Sequence, residues 1–208
     1  VPRNNLARLN PNGSVDATWD PESSGLTVDA LALQGTDLFV AGYFTRIGGQ
    51  FRNGLAKLST TNGGEADPLW NPNVAEYWGV RALAASGTNV FVGGTFSTVG
   101  GVARHGLVKL SATGIGAVDP VWNADLGLVG QVWVLTVAGG SLYAGGEFSS
   151  VRGIAATNLV KIALGGGGVR MTYFAGVHPE VPAMDRIGEL VGEDCTADVW
   201  NGTGFGAH

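Results

Sequence analysis

A glycine-rich string recurs at one fixed interval: "LFVAGYFTRIGG" at 38–49, "VFVGGTFSTVGG" at 90–101 and "LYAGGEFSSVRG" at 142–153, each copy 52 residues after the last. Three further motifs keep the same order and nearly the same step. "VDAL" at 28–31, "VRAL" at 80–83 and "VWVL" at 132–135 precede the glycine string. "NLARL" at 5–9, "GLAKL" at 54–58, "GLVKL" at 106–110 and "NLVKI" at 158–162 follow it. "DATWDP" at 16–21, "DPLWNP" at 67–72 and "DPVWNA" at 119–124 complete the unit. A period of this size restricts the chain to architectures that repeat one supersecondary unit of about 50 residues.

Every motif reads as a short strand. "VRALAAS" at 80–86 and "GLVKLSA" at 106–112 alternate apolar and polar residues, the period-2 pattern of a two-faced strand. "NVFVGGTF" at 89–96 is β-branched and aromatic, suited to a buried strand, and its glycines allow a neighbouring backbone to come close. Turn signals separate the motifs, "GTD" at 35–37, "TNGG" at 61–64, "SGTN" at 86–89, "TGIG" at 113–116 and "AGGS" at 138–141, and no helix of three turns is expected in 5–162. Four short antiparallel strands per repeat is the arithmetic of a β-propeller blade. A parallel β-helix needs a much shorter rung, and an immunoglobulin-like sandwich does not repeat in this way. The expected fold is therefore all-β, a β-propeller of about three to four four-stranded blades. The units lie near 5–52, 53–104 and 105–156, with a partial one at 157–164. "VRAL" is the innermost strand, "NVFVGGTF" the second, "GLVKL" the third and "DPVWN" the outer one. Trp19, Trp70 and Trp122, with Phe44, Phe96 and Phe148, are placed to fill the gaps between blades.

The run from "VRALAASGTNVFVGG" through "GLVKLSATG" to "DPVWN" resembles the delta-60 repeat, a β-propeller family of bacterial surface and secreted proteins, over residues 5–162. The resemblance implies propeller blades and an exported, extracellular or cell-surface setting. It brings no catalytic residues to carry over. The third-strand motif occurs four times and the others three times, so the chain reads as part of a larger ring with further blades outside it, or as a four-bladed ring. It opens "VPRNNLARLN", inside a repeat and with no signal-like apolar segment.

Composition removes several functions. With 12 Lys and Arg against 17 Asp and Glu there is no basic cluster to neutralise a phosphate backbone, so no nucleic-acid partner is expected. No apolar run approaches the ~18 residues of a membrane-spanning helix. The single cysteine, Cys195, excludes an intrachain disulfide. No dinucleotide fingerprint and no phosphate loop is present, because no glycine string sits between a strand and a helix. His178, Cys195 and His208 lack zinc-site spacing, so neither metal nor cofactor is expected. No nucleophile–base pair emerges, and a non-catalytic chain is expected.

The repeat ends at Leu164. Residues 165–208, starting with "GGGG", contain neither the Asp-x-x-Trp nor the Gly-x-Phe that the period requires. This segment is a linker into another domain, a diverged last blade, or the product of a frame shift in the coding sequence. "MDRIGELVG" at 184–192 has the pattern of a short helix.

Positions that recur define the blade, and positions that vary are free to define a site. The recurrent Asp16, Asp67 and Asp119 are expected to accept backbone N–H bonds in the turn before each Trp, or to pair with Arg8, Lys57 and Lys109. The loops at 20–27, 71–79 and 123–131 vary most. Tyr77 and Trp78 have no aromatic counterparts, and one inner-strand position carries Asp29, Arg81 and Trp133 in turn. Aromatics beside Arg and acids suit a glycan- or peptide-binding rim, and these five residues form the candidate ligand-binding site. The bland alternative is that Trp78 and Trp133 plug gaps between blades. A second function is a fragment of a glycoside hydrolase or lyase propeller whose catalytic residues lie outside this chain. Its local carboxylate candidates are Glu22, Asp29, Glu76 and Asp125.

Overall fold

A computed structural model describes residues 2–76, 79–165 and the backbone of 170–173. The described chain is a half blade followed by three blades. The first blade contains β1 (Ser24–Gln34), β2 (Asp37–Ile47), the short β3 (Gln50–Phe51) and β4 (Leu55–Ser59). The second contains β5 (Val80–Ser86), β6 (Asn89–Gly94), the hairpin β7 (Thr98–Val99) and β8 (Val102–Ala103), and β9 (Leu107–Ser111). The third contains β10 (Gln131–Ala138), β11 (Ser141–Glu147), β12 (Ser150–Val151), β13 (Ile154–Ala155), β14 (Leu159–Ala163) and β15 (Arg170–Tyr173). The inner strand pairs antiparallel with the second, and the second with the third, in every blade: β1–β2–β4, β5–β6–β9 and β10–β11–β14. Inner, second and third strands thus fall where the periodicity predicts.

The outer strand differs. In the first two blades it shrinks to one bridge each, Leu58 with Ala66 and Leu110 with Val118. The residues read as an outer strand, Asp-Pro-x-Trp, are instead a turn. Pro68 and Pro120 have no N–H to extend a ladder. The Asp side chains take up the next donors: Asp67 Oδ1 accepts from the Leu69 N–H at 2.9 Å and the Trp70 N–H at 3.2 Å, and Asp119 Oδ1 from those of Val121 and Trp122, both at 2.9 Å. The other oxygen makes the expected ion pair, Arg8–Asp16 at 2.7 Å, Lys57–Asp67 at 2.5 Å and Lys109–Asp119 at 2.8 Å. Burial opposes ionisation of Asp67 and Asp119, but the lysine and backbone bonds outweigh it and hold both carboxyls below the usual range. Asp16, bonded by the Thr18 hydroxyl and N–H and then by Arg8, is lowered to about 2. The third blade's sequence has no Asp-x-x-Trp at the equivalent place, 171–174. There β15 pairs with β14, Ile162 opposite Met171, in the outer-strand place and beyond Leu164.

The core lies between blades. Each blade sends alternate residues of its strands to opposite sides, as a pleated strand must. Leu6 and Trp19 of the half blade pack with Val40, Phe44 and Ile47 of the first. Phe39, Leu55 and Trp70 of the first pack with Val90, Val92 and Phe96 of the second. Phe91, Leu107 and Trp122 of the second pack with Leu142, Phe148 and Val160 of the third. The repeated Trp and Phe fill these layers as expected, and the indole N–H of Trp19 and Trp70 reaches the carbonyls of Ser59 and Ser111, one blade on, at 2.9 Å each.

Two backbone features explain the glycines. Gly94 lies so close to the Gly79 carbonyl that a Cβ would sit 1.7 Å from its oxygen, so the second glycine of "GG" is required for packing. The residue before the third strand is left-handed in every copy: Asn5, Gly54, Gly106 and Asn158 have φ of 62°, 63°, 68° and 65°. Only Gly and Asn tolerate that conformation readily, which accounts for the alternation of those two residues at one repeat position. Two residues earlier in three of the copies stands an arginine that ties this turn to the outer one. Arg3, Arg52 and Arg104 donate to the carbonyls of Asp16, Asp67 and Asp119 at 2.8, 2.7 and 3.2 Å.

Candidate functional site

The two ends of each blade are built differently. Ser24 pairs with Arg46 and Gln131 with Glu147, so the inner strand begins where the second strand finishes. The variable loops at 20–27, 71–79 and 123–131 therefore share one end with the tips that join second and third strands. Backbone bonds fasten loop to tip: Gly48 N–H to the Pro21 carbonyl at 2.5 Å, Ala75 N–H to Thr98 at 3.1 Å and Arg152 N–H to Ala124 at 3.1 Å. Glu76 adds a side-chain clamp, accepting from the Ser97 N–H and hydroxyl. Burial opposes its ionisation, and the Ser97 bonds prevail and lower its pKa. The segments that vary in sequence are held in place by the segments that recur.

Near that end, each inner strand carries a bulge at one repeat position. The register slips between Val28 and Ala30, between Val80 and Ala82, and between Val132 and Val134. The extra residue is Asp29, Arg81 or Trp133, the varying position singled out from sequence. A bulge leaves one residue outside the ladder and re-aims its side chain, so this position is released from blade packing and can vary. Arg81 Nη1 meets Asp29 Oδ2 at 2.5 Å, joining the first and second blades. Arg81 Nε is shielded from solvent and has no partner among the described residues. Trp133, at the equivalent place in the third blade, is 41 % exposed. Tyr77 and Trp78 lie outside the described residues, as does everything expected of 174–208, including the helix at 184–192.

The same end carries apolar side chains that the repeat gave no reason to select. Leu26, Leu128 and Val129 on the loops are largely exposed, as is Phe51 at a hairpin tip, and the tip residues Val102 and Ile154 are open to solvent as well. They sit at sites where the motif changes from copy to copy. A scan for apolar residues inside the turn segments would have found them. Away from this end, a depression of about 360 Å³ opens against the third strand and outer turn of the second blade, lined in part by Thr88, Asn89, Asp119 and Val121.

Among the described residues no group of three His, Cys, Asp or Glu stands close enough to hold a metal ion, and no helix is long and apolar enough to cross a membrane. The model of a family described as a domain of unknown function (DUF5122), beta-propeller, matches residues 1–18 and 38–64. The chain is built of β-propeller repeats. The matched segments fall on the half blade and on the second and third strands of the first blade, and they support the likeness to the delta-60 repeat. No curated protein matches the chain. On this propeller the face of variable loops, hairpin tips and inner-strand bulges is the one that its repeats leave free to specialise.

Proposed function

We propose that the chain is a non-catalytic propeller scaffold, extracellular or on a bacterial surface, that binds a protein partner through its loop face. The observation that carries this reading is that Leu26, Phe51, Leu128 and Val129 are exposed on loops and tips at the same end of the blades as Trp133 and the Asp29–Arg81 pair. Apolar side chains exposed among polar groups suit a protein contact, with aromatics and Arg as anchors. Aliphatic side chains offer nothing to sugar hydroxyls, so the composition favours a protein over a glycan. Of the four carboxylates considered for a propeller enzyme, Asp29 is paired with Arg81, Glu76 is bonded to Ser97, and Asp125 accepts the Gly127 N–H at 3.4 Å.

The test is selection of binders from a displayed peptide library alongside a glycan array, followed by Phe51→Lys, Leu128→Lys, Arg81→Ala and Trp133→Ala. Peptide binding lost in Phe51→Lys and Leu128→Lys is the expected result. Glycan binding that depends on Trp133 and ignores Leu128 would transfer the site to a carbohydrate. Binders indifferent to all four changes would remove the loop face from the reading.

A further inference from the structure

The hairpin tips between second and third strands share a backbone but not their side chains. In the first blade Arg46 on β2 pairs with Ser24 of β1 on one side and with Phe51 of β3 on the other. The Ser24 hydroxyl donates to the Arg46 carbonyl at 3.2 Å. The buried Arg52 donates to the Phe51 carbonyl at 2.7 Å, and also to that of Asp67. On this fixed frame the Arg46 guanidinium lies over the Phe51 ring, 5.6 Å from its centroid. Both side chains are exposed, Phe51 at 77 %. In the second blade Arg104 repeats the clamp on the Ala103 carbonyl at 2.9 Å, but the stacked pair is replaced, by Thr98 with Ala103 there and by Ser150 with Ala155 in the third. Small residues therefore serve the tip as well, and folding does not require the Arg–Phe pair. Nor does its exposure come from its place in the array: Ala103 and Ala155 are exposed too, and each has a whole blade before it. Among the described residues Arg46 has no carboxylate partner, whereas Arg3, Arg8 and Arg81 each have one.

We propose that Arg46 and Phe51 anchor an acidic, extended segment of the protein partner, its Asp or Glu carboxylate on the guanidinium and an apolar side chain two residues away on the ring. This rests on the reading of the loop face as a protein-binding surface and specifies what the partner carries. The ring holds the guanidinium flat and displaces part of its water, so less side-chain freedom is lost when a ligand arrives. The N–H fork stays in the guanidinium plane, the geometry that takes both oxygens of a carboxylate. Side chains i and i+2 of an extended segment stand on one face roughly 7 Å apart, close to the 5.6 Å between guanidinium and ring. Charge adds selectivity. On a chain of net charge −5 an acidic segment is disfavoured over most of the surface and settles where a guanidinium stands without a carboxylate.

The experiment selects binders of the full chain from a displayed library of random peptides. Selected sequences are synthesised with amidated C-termini, so that side chains supply the only carboxylates, and affinities are read by fluorescence anisotropy. Binders lost in Phe51→Lys are expected to carry Asp or Glu two positions from an apolar residue. Changing that acid to Asn or Gln, or Arg46→Gln in the chain, should each weaken binding roughly tenfold, the scale of one charged hydrogen-bonded pair. The two changes together should weaken it little more than either alone. Arg46→Lys keeps the charge and loses the planar fork, and should stay several-fold weaker than the parent. Circular dichroism establishes that each variant keeps its sheet. Binders that need Phe51 and Leu128 yet carry no acid, or that ignore Arg46→Gln, overturn the inference and leave the loop face a protein-binding surface. Full affinity in Arg46→Lys overturns it as well. Binders indifferent to every loop-face substitution overturn both this inference and the reading beneath it.

Discussion

The second and third blades have the same three motifs in the same register, yet among the described residues one is enclosed on both faces and the other on one. Leu107 is fully buried, and Leu159, its equivalent 52 residues later, is 42 % exposed. Ala82 is buried where Val134 is open, and Phe91 has Trp122 at 5.6 Å edge-on, whereas Tyr143 is only half-buried, with the Lys161 ammonium over its ring. The motif therefore specifies a strand and its pairing, and the neighbouring blade supplies the burial. A repeat array gains its stability at interfaces between units. The same side chain is worth several kcal/mol or very little according to what lies beyond it.

Truncations measure that difference directly. Trp70 is fully buried between the first and second blades, packs against Phe39 at 5.2 Å and donates its indole N–H to Ser111. Trp70→Ala should cost about 3–5 kcal/mol, the range for large aromatic truncations, and should show as a collapse of the urea midpoint. Leu107→Ala should cost about 2–5 kcal/mol for the same reason, and Leu159→Ala less than about 1 kcal/mol. Equal costs at Leu107 and Leu159 would mean that the third blade's open face is covered in solution.

Glycines sharpen the contrast at a smaller scale. A Cβ on Gly93 would meet the Val132 side chain at 2.6 Å, because the third blade crowds against it. A Cβ on Gly145, the same repeat position, would find nothing nearer than 3.7 Å. Gly93→Ala should destabilise by about 1–3 kcal/mol through overpacking. Gly145→Ala should be neutral or stabilise by up to about 1 kcal/mol, since alanine loses less backbone freedom on folding. Thermal melts of the two variants should move in opposite directions or leave Gly145→Ala unmoved.

What was legible in the sequence was whatever recurs. The strands, the Trp and Phe layers and the Asp turns all announced themselves by repetition, because each blade solves the same packing problem. Asp-Pro-x-Trp reads as an outer strand because a blade needs one, whereas Pro68 and the Asp67 carboxylate make it a turn. Arg3, Arg52 and Arg104 also recur, at steps of 49 and 52, but a charged side chain reads as solvated until its buried carbonyl partners are seen. At the candidate site the position of Asp29, Arg81 and Trp133 stood out because it varies, and the bulge gives the physical reason. The exposure of Leu159 among the described residues was illegible, since its motif matches that of the buried Leu107. Sequence equivalence carries no information about which unit lies next in space.

Acid separates the blades by their turns. The carboxyls of Asp16, Asp67 and Asp119 all have folded-state pKa values below the unfolded range, and the third blade has no counterpart. A depressed carboxyl contributes stability that is fully present above its unfolded pKa, near ~4, and lost as pH falls through the folded one. For Asp16, lowered to about 2, the loss runs from the unfolded pKa down to that value. Urea midpoints should be flat above pH 5 or so and decline below it. Asp67→Asn with Asp119→Asn should be less stable at neutral pH and show a shallower acid decline than the parent. A parallel decline in parent and variant would place the acid sensitivity elsewhere.

The smallest effect isolates one residue that the third blade has and the others lack. At the tip between second and third strands, Gly48 and Gly100 adopt φ of 57° and 58°, and the third copy places Arg152 there with φ of 51°. The tip is held in that conformation by its bonds to the preceding loop, the Arg152 N–H reaching the carbonyls of Ala124 at 3.1 Å and Asp125 at 2.8 Å. A residue with a Cβ pays roughly 1–2 kcal/mol to sit in the left-handed region, and glycine avoids that strain while losing more chain entropy on folding. Arg152→Gly should therefore stabilise the chain by about 0.5–1 kcal/mol, a rise of roughly 1–4 °C in Tm for a protein of this size. Gly100→Arg in the second blade should do the reverse by a similar amount or more, since its Cβ would also press on the Pro72 carbonyl at 3.4 Å. If Arg152→Gly lowers Tm instead, the guanidinium makes a contact in solution that outweighs the strain, and the third blade's tip differs from the others by function rather than by drift.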